Sequence, residues 1–457
     1  MLSKDKIKPM ETIWYDNSRI PISDGIYQAP SITSILKTPI GDLIKSNPDL
    51  IVFSEGTNIG KMDKESILSG CDDPSNPDLW TGNLMGVLYI KQVNNFHPLR
   101  ISINSRFDKG SDSQTFLTWM LIHAFDGMIH SWKPRAGVGI WRLLLIFLFK
   151  YYLEKAYHQG LYKQYISRKY NDFVFKGVLD VSRHIKMNSF FTGRVACNVR
   201  EHSFDNPVLW LVRHAANYIS LYFPELYTSI LLSKPITNEA LRVIVEATPS
   251  YTNQNQYHLF YDCQIPIRHP FFTEYENLRK ISLQLLRNEG LTLYSNSMKD
   301  EVYGVLFDGA WLWEKFLASV LRPLNFKHMI YSENKEVYVF ENPNFCYLYP
   351  DFYHQENKIV LDAKYKYWNF DPEDIHQLLA YMYITNSMNG GIIHPVGTDE
   401  TIKEPQPFKI HNNQSKFHTI PFHVPKLTSN FRTEMLQEQN RIKDYCSTLA
   451  NQPEKHS

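Results

Sequence analysis

The run YPDFYHQENKIVLDAKYK, residues 349–366, limits what this chain can fold into more than any other segment. It lies within two β-prone stretches, residues 347–354 and 358–366, separated by the turn-forming HQEN. A hairpin is the simplest structure that satisfies both. Each stretch carries an acid, Asp351 or Asp362, where a strand ordinarily takes valine or isoleucine. Folding at the turn brings Asp351 opposite the neighbourhood of Leu361 and Asp362. Alternate side chains along a strand share a face, so Asp362 and Lys364 point the same way. Two carboxylates and one ammonium are therefore predicted to meet at one end of a hairpin.

Carboxylates that close repel unless a cation sits between them. A divalent metal does this, and Mg²⁺ favours one or two carboxylates together with waters and phosphate oxygens. Mn²⁺ is the natural substitute. Ala363, between Asp362 and Lys364, can offer its backbone carbonyl without filling the pocket. The lysine can orient or deprotonate a water for attack on phosphorus.

The flanking segments add to this set. PEDIHQLLAYMYITN reads as a helix entered through Asp371-Pro372, with acids in its first turn as the helix dipole favours. Gln377 and Tyr381 are four apart and share a helix face. GGIIHPV then returns the chain to a sheet. Upstream, LFDGAWLWEKFLASVL is an amphipathic helix with Trp313, Phe316, Leu317, Val320 and Leu321 towards a core. Glu314 borders that stripe, a costly place for a charge unless it faces a metal or its water. Taken singly, an Asp-x-Lys is most often a solvated strand edge, and Gln377 with Tyr381 a surface pair. Their order and context together favour chemistry.

The totals exclude several other functions. The net charge of +1 gives no global basic field, so a nucleic-acid partner must be met by a local patch. The five cysteines are scattered and form no Cys-x-x-Cys pair, so neither a disulfide framework nor a zinc site is signalled. The N-terminus lacks an apolar signal core. The most hydrophobic run, WRLLLIFLFKYYL, holds seven uninterrupted apolar residues, far short of the roughly 20 a membrane helix needs. No membrane partner and a cytoplasmic setting are expected. EGTNIGKMD resembles a phosphate loop, but three residues separate its glycines where four are required, and Met62 replaces the Mg²⁺-binding Ser or Thr. His411, His418 and His423 fit no zinc spacing and read as core or loop histidines.

Along the chain, CDDPSNPDLW and QVNNFHP read as loops, and LMGVLYIK and LRISINSRF as strands. SQTFLTWMLIHAF and the stretch from VGIWRLLL to AYHQGL read as helices. FKGVLDVSRHIKMN is strand-like, whereas NPVLWLVRHAANYISLYF is helical with Asp205 or Asn206 as N-cap. TNEALRVIVEA and PFFTEYENLRKISLQLLRNEG continue helical. From about residue 300 the texture becomes helix, three strands, helix and strand. The tail after about Lys403 is polar and ends in a helix at TEMLQEQNRIKDYCSTLA. The expected fold is mixed, α+β with α/β. It has a C-terminal core of helix, mixed sheet and helix, preceded by a mixed β and helical N-terminal region. Three parts are expected: an accessory region at 1–78, a mixed and helical region at 79–295, and a chemical core at 296–457.

Glu on a helix, Pro-Asp, eleven residues to Asp-x-Lys, then Gln-x-x-x-Tyr: this order resembles the PD-(D/E)xK nuclease superfamily, in its Gln-x-x-x-Tyr branch. LWEKFLASVLRP, LYPDF, KIVLDAKYK, HQLLAYMY and GGIIHPV look like successive blocks of the McrC family, the endonuclease subunit of McrBC-type modification-dependent restriction systems. KGVLDVSRHIK followed by REHSFDNPVLWLVRHAANYI is similar to a further McrC block, and TGNLMGVLYIK with LRISINSRFD to the N-terminal unit of longer relatives. The resemblance spans roughly 80 to 400. It implies an Mg²⁺-dependent DNA endonuclease that cuts double-stranded modified DNA without choosing the target. A separate AAA+ GTPase of McrB type would form a ring, read the DNA and bind GTP. This chain would stimulate its GTP hydrolysis and cut. The resemblance implies Asp351 and Asp362 as metal ligands, Lys364 as catalytic, and Glu314 and Gln377 as supporting. The helical part of 79–295 would bind the partner, with Arg183, Lys186, Arg194, Arg200 and Arg213 facing either partner or DNA. A stand-alone repair nuclease would instead cut efficiently without nucleotide or partner. A non-cutting adaptor would have no reason to hold repelling acids together.

Overall fold

A computed structural model describes residues 10–20, 32, 35–36, 38–48, 50–53, 64–71, 78–90, 99–109, 115–124, 140–190, 192–252, 262–287, 302–329, 337–340, 346–397, 404–411, 414–426 and 430–450. The phosphate-loop-like EGTNIGKMD and the expected loop QVNNFHP lie outside them. The chain forms two compact units. One comprises 1–127, 132–141 and 297–457, and the other 128–131 and 142–296. The division expected from the sequence put boundaries after 78 and 295; in the structure 1–127 belongs to the same unit as 297–457.

The chain opens with β1 (Met10–Tyr15), α1 (Ile40–Ser46), β2 (Leu50–Phe53), β3 (Leu68–Cys71) and β4 (Asp78–Thr81). There follow β5 (Leu84–Ile90), β6 (Leu99–Asn104), α2 (Thr115–Ala124) and α3 (Ile140–His158). The second unit continues with β7 (Gln164–Asp172), β8 (Val178–Leu179), α4 (Val181–Met187) and β9 (Val195–Ser203). Its remaining helices are α5 (Pro207–Tyr222), α6 (Pro224–Ser229), α7 (Pro235–Ala247) and α8 (Thr273–Arg287). The first unit resumes with β10 (Val302–Asp308), α9 (Gly309–Leu321), β11 (Lys327–His328), β12 (Val337–Tyr338) and β13 (Tyr347–Leu348). It ends with β14 (Phe352–His354), β15 (Ile359–Ala363), α10 (Pro372–Ile384), β16 (Asn389–Val396), β17 (Gln406–Lys409), β18 (Lys416–His423) and α11 (Phe431–Ala450).

The first unit contains two larger sheets. One runs β1-β6-β5-β10-β2, with β1 parallel to β6 and β2 parallel to β10. Its central strands β5 and β10 are buried along nearly their whole length, as expected of near-continuous apolar runs covered on both faces. The sequence reading began this region with a helix and missed β10. VYGVLFD gives no alternating pattern, and Gly304 weakens it as a strand by propensity. That glycine is required by the pairing: its φ is +151°, and a Cβ there would collide with the Val87 carbonyl. Asp308 then turns the strand into α9, its Oδ1 accepting the Ala310 N–H at 2.9 Å.

The second sheet runs β11-β14-β15-β16-β18-β17. β14 and β15 form the expected antiparallel hairpin, with Phe352 opposite Leu361. β15 and β16 are parallel, and α10 is the crossover that a parallel connection needs. α10 lies so close to β16 that a Cβ at Gly390 would run into Met382. All five expected core residues of α9 are buried, and Trp313 packs against Phe116, Phe316 and Phe422. Burial of each such side chain contributes about 1.5–3 kcal/mol. The tail after Lys403 is not merely polar. β18 lies between β16 and β17, and Phe417, Ile420 and Phe422 are buried. Pro421 hides this strand in the sequence; it sits beyond the stretch of β18 that β17 pairs, so its missing N–H breaks no ladder on that side.

In the second unit, β7 and β9 pair antiparallel from Gln164↔Ser203 to Asp172↔Val195, and β8 adds to β9. FKGVLDVSRHIKMN, expected to be strand-like, supplies only the two residues of β8 before turning into α4. Asp180 causes the change: its carboxylate accepts the Arg183 N–H at 3.1 Å and caps the helix. Of the two N-caps weighed for α5, Asn206 is the one used, accepting from Val208 and Leu209 N–H. Among the described residues, no helix is long and apolar enough to cross a membrane.

Candidate functional site

The hairpin and α10 build the site. Asp351 immediately precedes β14, and Asp362 lies on β15, buried with 1 % exposure. The two are held together through the backbone: the Ala363 N–H donates to Asp351 Oδ2 at 2.6 Å. Lys364 leaves β15 on the same face as Asp362, and its Nζ lies 2.8 Å from Asp362 Oδ2. The second and third turns of α10 complete the set. Lys364 Nζ donates to Gln377 Oε1 at 2.9 Å, and Gln377 Nε2 donates to the Tyr381 hydroxyl at 2.7 Å. Of the residues singled out in the sequence, Asp351, Asp362, Ala363, Lys364 and Gln377 lie together here, with Tyr381 behind Gln377.

Glu314 stands in a different relation to the group. On α9, its Oε2 is 3.9 Å from His328 Nε2 on β11, an ion pair only when the imidazole is protonated. Its charge bears on both Asp351 and Asp362, raising each. Among the described residues, no group of three or more His, Cys, Asp or Glu side chains is arranged to hold a metal. The groups that could hold one are the two carboxylates and the Ala363 carbonyl, with Glu314 near enough for its charge to reach both acids.

The electrostatics favour a cation. Burial pushes the Asp351 carboxyl well above the usual carboxylate range, and the charges of Glu314 and Asp362 push it further. Burial likewise raises Asp362, against the pull of Lys364. Burial and mutual repulsion thus work against the charged forms of both acids, and a divalent ion between them would oppose that shift. Asp362 Oδ2 is buried with the Lys364 ammonium 2.8 Å away, and a carboxylate oxygen has a further lone pair for such an ion. For Lys364, burial alone would lower the ammonium, but Asp362, Asp351 and Asp374 outweigh it and hold it above the ordinary lysine range. Burial pushes the Tyr381 hydroxyl up to about 12.

Sequence reasoning missed Asp374. Its Oδ1 lies 3.6 Å from Lys364 Nζ and its Oδ2 2.8 Å from Lys366 Nζ, while Trp368 Nε1 donates to Oδ2 at 2.8 Å. By sequence it is explained as an acid of the first turn that complements the helix dipole. The available signal was its spacing: three before Gln377, it shares the face that meets the lysine. His328 was also missed; it stacks on Phe352 with ring centroids 5.2 Å apart.

In the second unit, two of the five basic residues are used internally. Arg183 donates to the carbonyls of Tyr170 and Cys197, and Arg213 to those of Val245 and Thr248. Lys186, Arg194 and Arg200 are exposed, the last two over the rings of Phe173 and Tyr165. Around them Phe173, Val174, Phe175, Val178, Ile185 and Phe190 are exposed as well. His418 is a core histidine, as expected: 2 % exposed, bonded to Tyr445 and Asn389, and pushed by burial down to about 4.

A family model described as "McrBC 5-methylcytosine restriction system component" matches residues 79–395. No curated protein matches the chain. Among solved structures, the chain is similar to a refined half-complex from the tetradecameric assembly of Thermococcus gammatolerans McrB AAA+ hexamers with bound McrC. The identity is 14 % and the TM-score 0.49, over 96 % of this chain and 100 % of that one. It is also similar to a chain in the cryo-EM structure of the Thermococcus gammatolerans McrBC complex, with 12 % identity and a TM-score of 0.29, over 69 % of this chain and 87 % of that one.

Proposed function

This chain belongs to the family of McrBC 5-methylcytosine restriction system components, and from that membership we propose that it is the McrC-type subunit, a divalent-metal-dependent DNA endonuclease. The observation that carries this reading is the convergence of Asp351, Asp362, Lys364 and Gln377 at one end of the hairpin. A helix, a mixed sheet with a parallel crossover and a second helix surround it, which agrees with a PD-(D/E)xK core. Asp351, Asp362 and the Ala363 carbonyl would hold Mg²⁺ or Mn²⁺. Such an ion supplies Lewis-acid stabilisation of charge developing on phosphorus.

The protein's own groups do the rest. Lys364, kept as an ammonium by three acids, donates rather than accepts a proton: it orients the attacking water and offsets charge on the phosphate. Gln377 fixes the ammonium's direction, and Tyr381 fixes Gln377. Glu314 adds negative charge that strengthens the demand for a cation. The partner in this reading is a AAA+ GTPase of McrB type that binds GTP and reads modified double-stranded DNA. The arrangement described for McrC with McrB hexamers in Thermococcus gammatolerans is extended here to the present chain. The exposed apolar and basic surface of the β7–β9 unit is available to such a partner.

The test is cleavage of methylated DNA in a reaction reconstituted with the cognate GTPase. Asp362→Ala and Lys364→Ala are expected to abolish cutting while partner binding and stimulation of GTP hydrolysis persist. Cutting by both variants would overturn the assignment.

A further inference from the structure

Lys364 lies one residue beyond β15, where regular pairing ends. Behind it, its N–H donates to the Ile393 carbonyl at 2.9 Å. Ahead of it, Arg106 Nη2 donates to the Tyr365 carbonyl at 3.2 Å, and the Tyr365 hydroxyl is 2.6 Å from Ser105 Oγ. The Arg106 guanidinium lies over the Tyr365 ring, 5.4 Å from its centroid. Arg106 is in turn aimed by Asp16. The Arg106 N–H and Nε donate to the two Asp16 oxygens at 2.6 and 2.9 Å, with Nη2 2.8 Å from Oδ2. Asp16 and Ser105 are fully buried, Arg106 and Tyr365 nearly so.

Burying an ion pair costs desolvation, and apolar residues of similar volume often serve stability as well or better. What the pair adds is direction: a fork held by one acid, with an N–H left for the backbone beside the lysine. Asp16 follows β1, which reaches this point by parallel pairing with β6, Tyr15 opposite Asn104. It lies outside the segment 79–395 that the family model matches, whereas Arg106 and Tyr365 lie within it.

We infer that Asp16 and Arg106 are positioning residues for Lys364: the N-terminal strand fixes the chain where it leaves the catalytic hairpin, through Arg106 and the Tyr365 carbonyl. This rests on the role proposed above for Lys364. It also gives the N-terminal segment a task in the chemistry of the site.

The test compares Arg106→Lys and Asp16→Asn with the unmodified full chain in the reconstituted reaction. Asp16→Asn keeps the size of the acid and removes the charge that aims the guanidinium, so it reports even where Arg106→Lys fails to fold. A displacement of about 1 Å costs about 10²-fold in rate, so the turnover at saturating DNA is expected to fall roughly 10- to 100-fold. KM for DNA and stimulation of GTP hydrolysis should stay unchanged. Amide hydrogen exchange should quicken in the peptide spanning 364–367 and not in α9, whereas a merely structural role would raise exchange throughout the unit. Wild-type turnover with unchanged local exchange in Asp16→Asn, or in folded Arg106→Lys, would overturn the inference. If Lys364→Ala itself still cuts, the nuclease reading falls, and the exchange measurement still decides whether Arg106 holds this segment.

Discussion

Replacing Lys364 by methionine keeps most of the side-chain volume and removes the ammonium, leaving Asp362 with 1 % exposure and no counter-ion. Removing one partner of a buried pair costs about 3–5 kcal/mol. At about 2 °C per kcal/mol for a unit of this size, Tm should fall roughly 6–10 °C in metal-free buffer at pH 8. The pH dependence follows from Asp362. Burial already raises its folded pKa, and loss of the ammonium raises it further. A raised folded pKa contributes stability below the unfolded value, and that stability is lost as pH rises through the folded value. The deficit of the variant is therefore largest at pH 8 and shrinks towards pH 4, where Asp362 holds its proton. Differential scanning calorimetry on both proteins across that range measures it. Equal Tm values at pH 8 would refute the reasoning, because Asp362 would then not depend on Lys364.

Asp374→Asn keeps an acceptor for Trp368 but removes the charge shared by Lys364 and Lys366. Cleavage should fall by about 10-fold, as for other partners that orient catalytic groups, with Tm little changed; a wild-type rate would exclude the role. Asp371→Ala removes the α10 N-cap and a partner of Lys366, and should cost about 1 kcal/mol by chemical denaturation. The chain without its partner should bind DNA weakly, with affinity falling steeply with salt in a filter-binding titration, since only a local basic patch is available. Tight, sequence-specific binding by the isolated chain would contradict this.

The site was legible where local rules decide it. Two acids in a β-rich hairpin, the Asp371-Pro372 helix start and the Gln377–Tyr381 spacing each follow from a few neighbouring residues. So does the α9 stripe, in which every expected core residue is buried. What was missed depends on distant partners. β10 is a strand because β5 and β2 flank it, and β18 because β16 accepts it despite Pro421. The α4 helix turned on one capping interaction, Asp180 with the Arg183 N–H, in a segment whose propensities favoured a strand. Asp374 carried a sufficient local explanation as a dipole acid, and only the folded chain shows it between two lysines. Residues 1–78 contain no readable motif, yet β1 and β2 complete the same sheet as β10.

The central claim is a divalent-cation site made by Asp351, Asp362 and the Ala363 carbonyl. Crystals of the chain soaked in Mn²⁺ test it through the anomalous difference map. One peak within coordination distance of both carboxylates, lost in Asp362→Asn crystals that keep the same fold, is the expected result. A map without density there, or with the ion bound elsewhere and unaffected by Asp362→Asn, would contradict it.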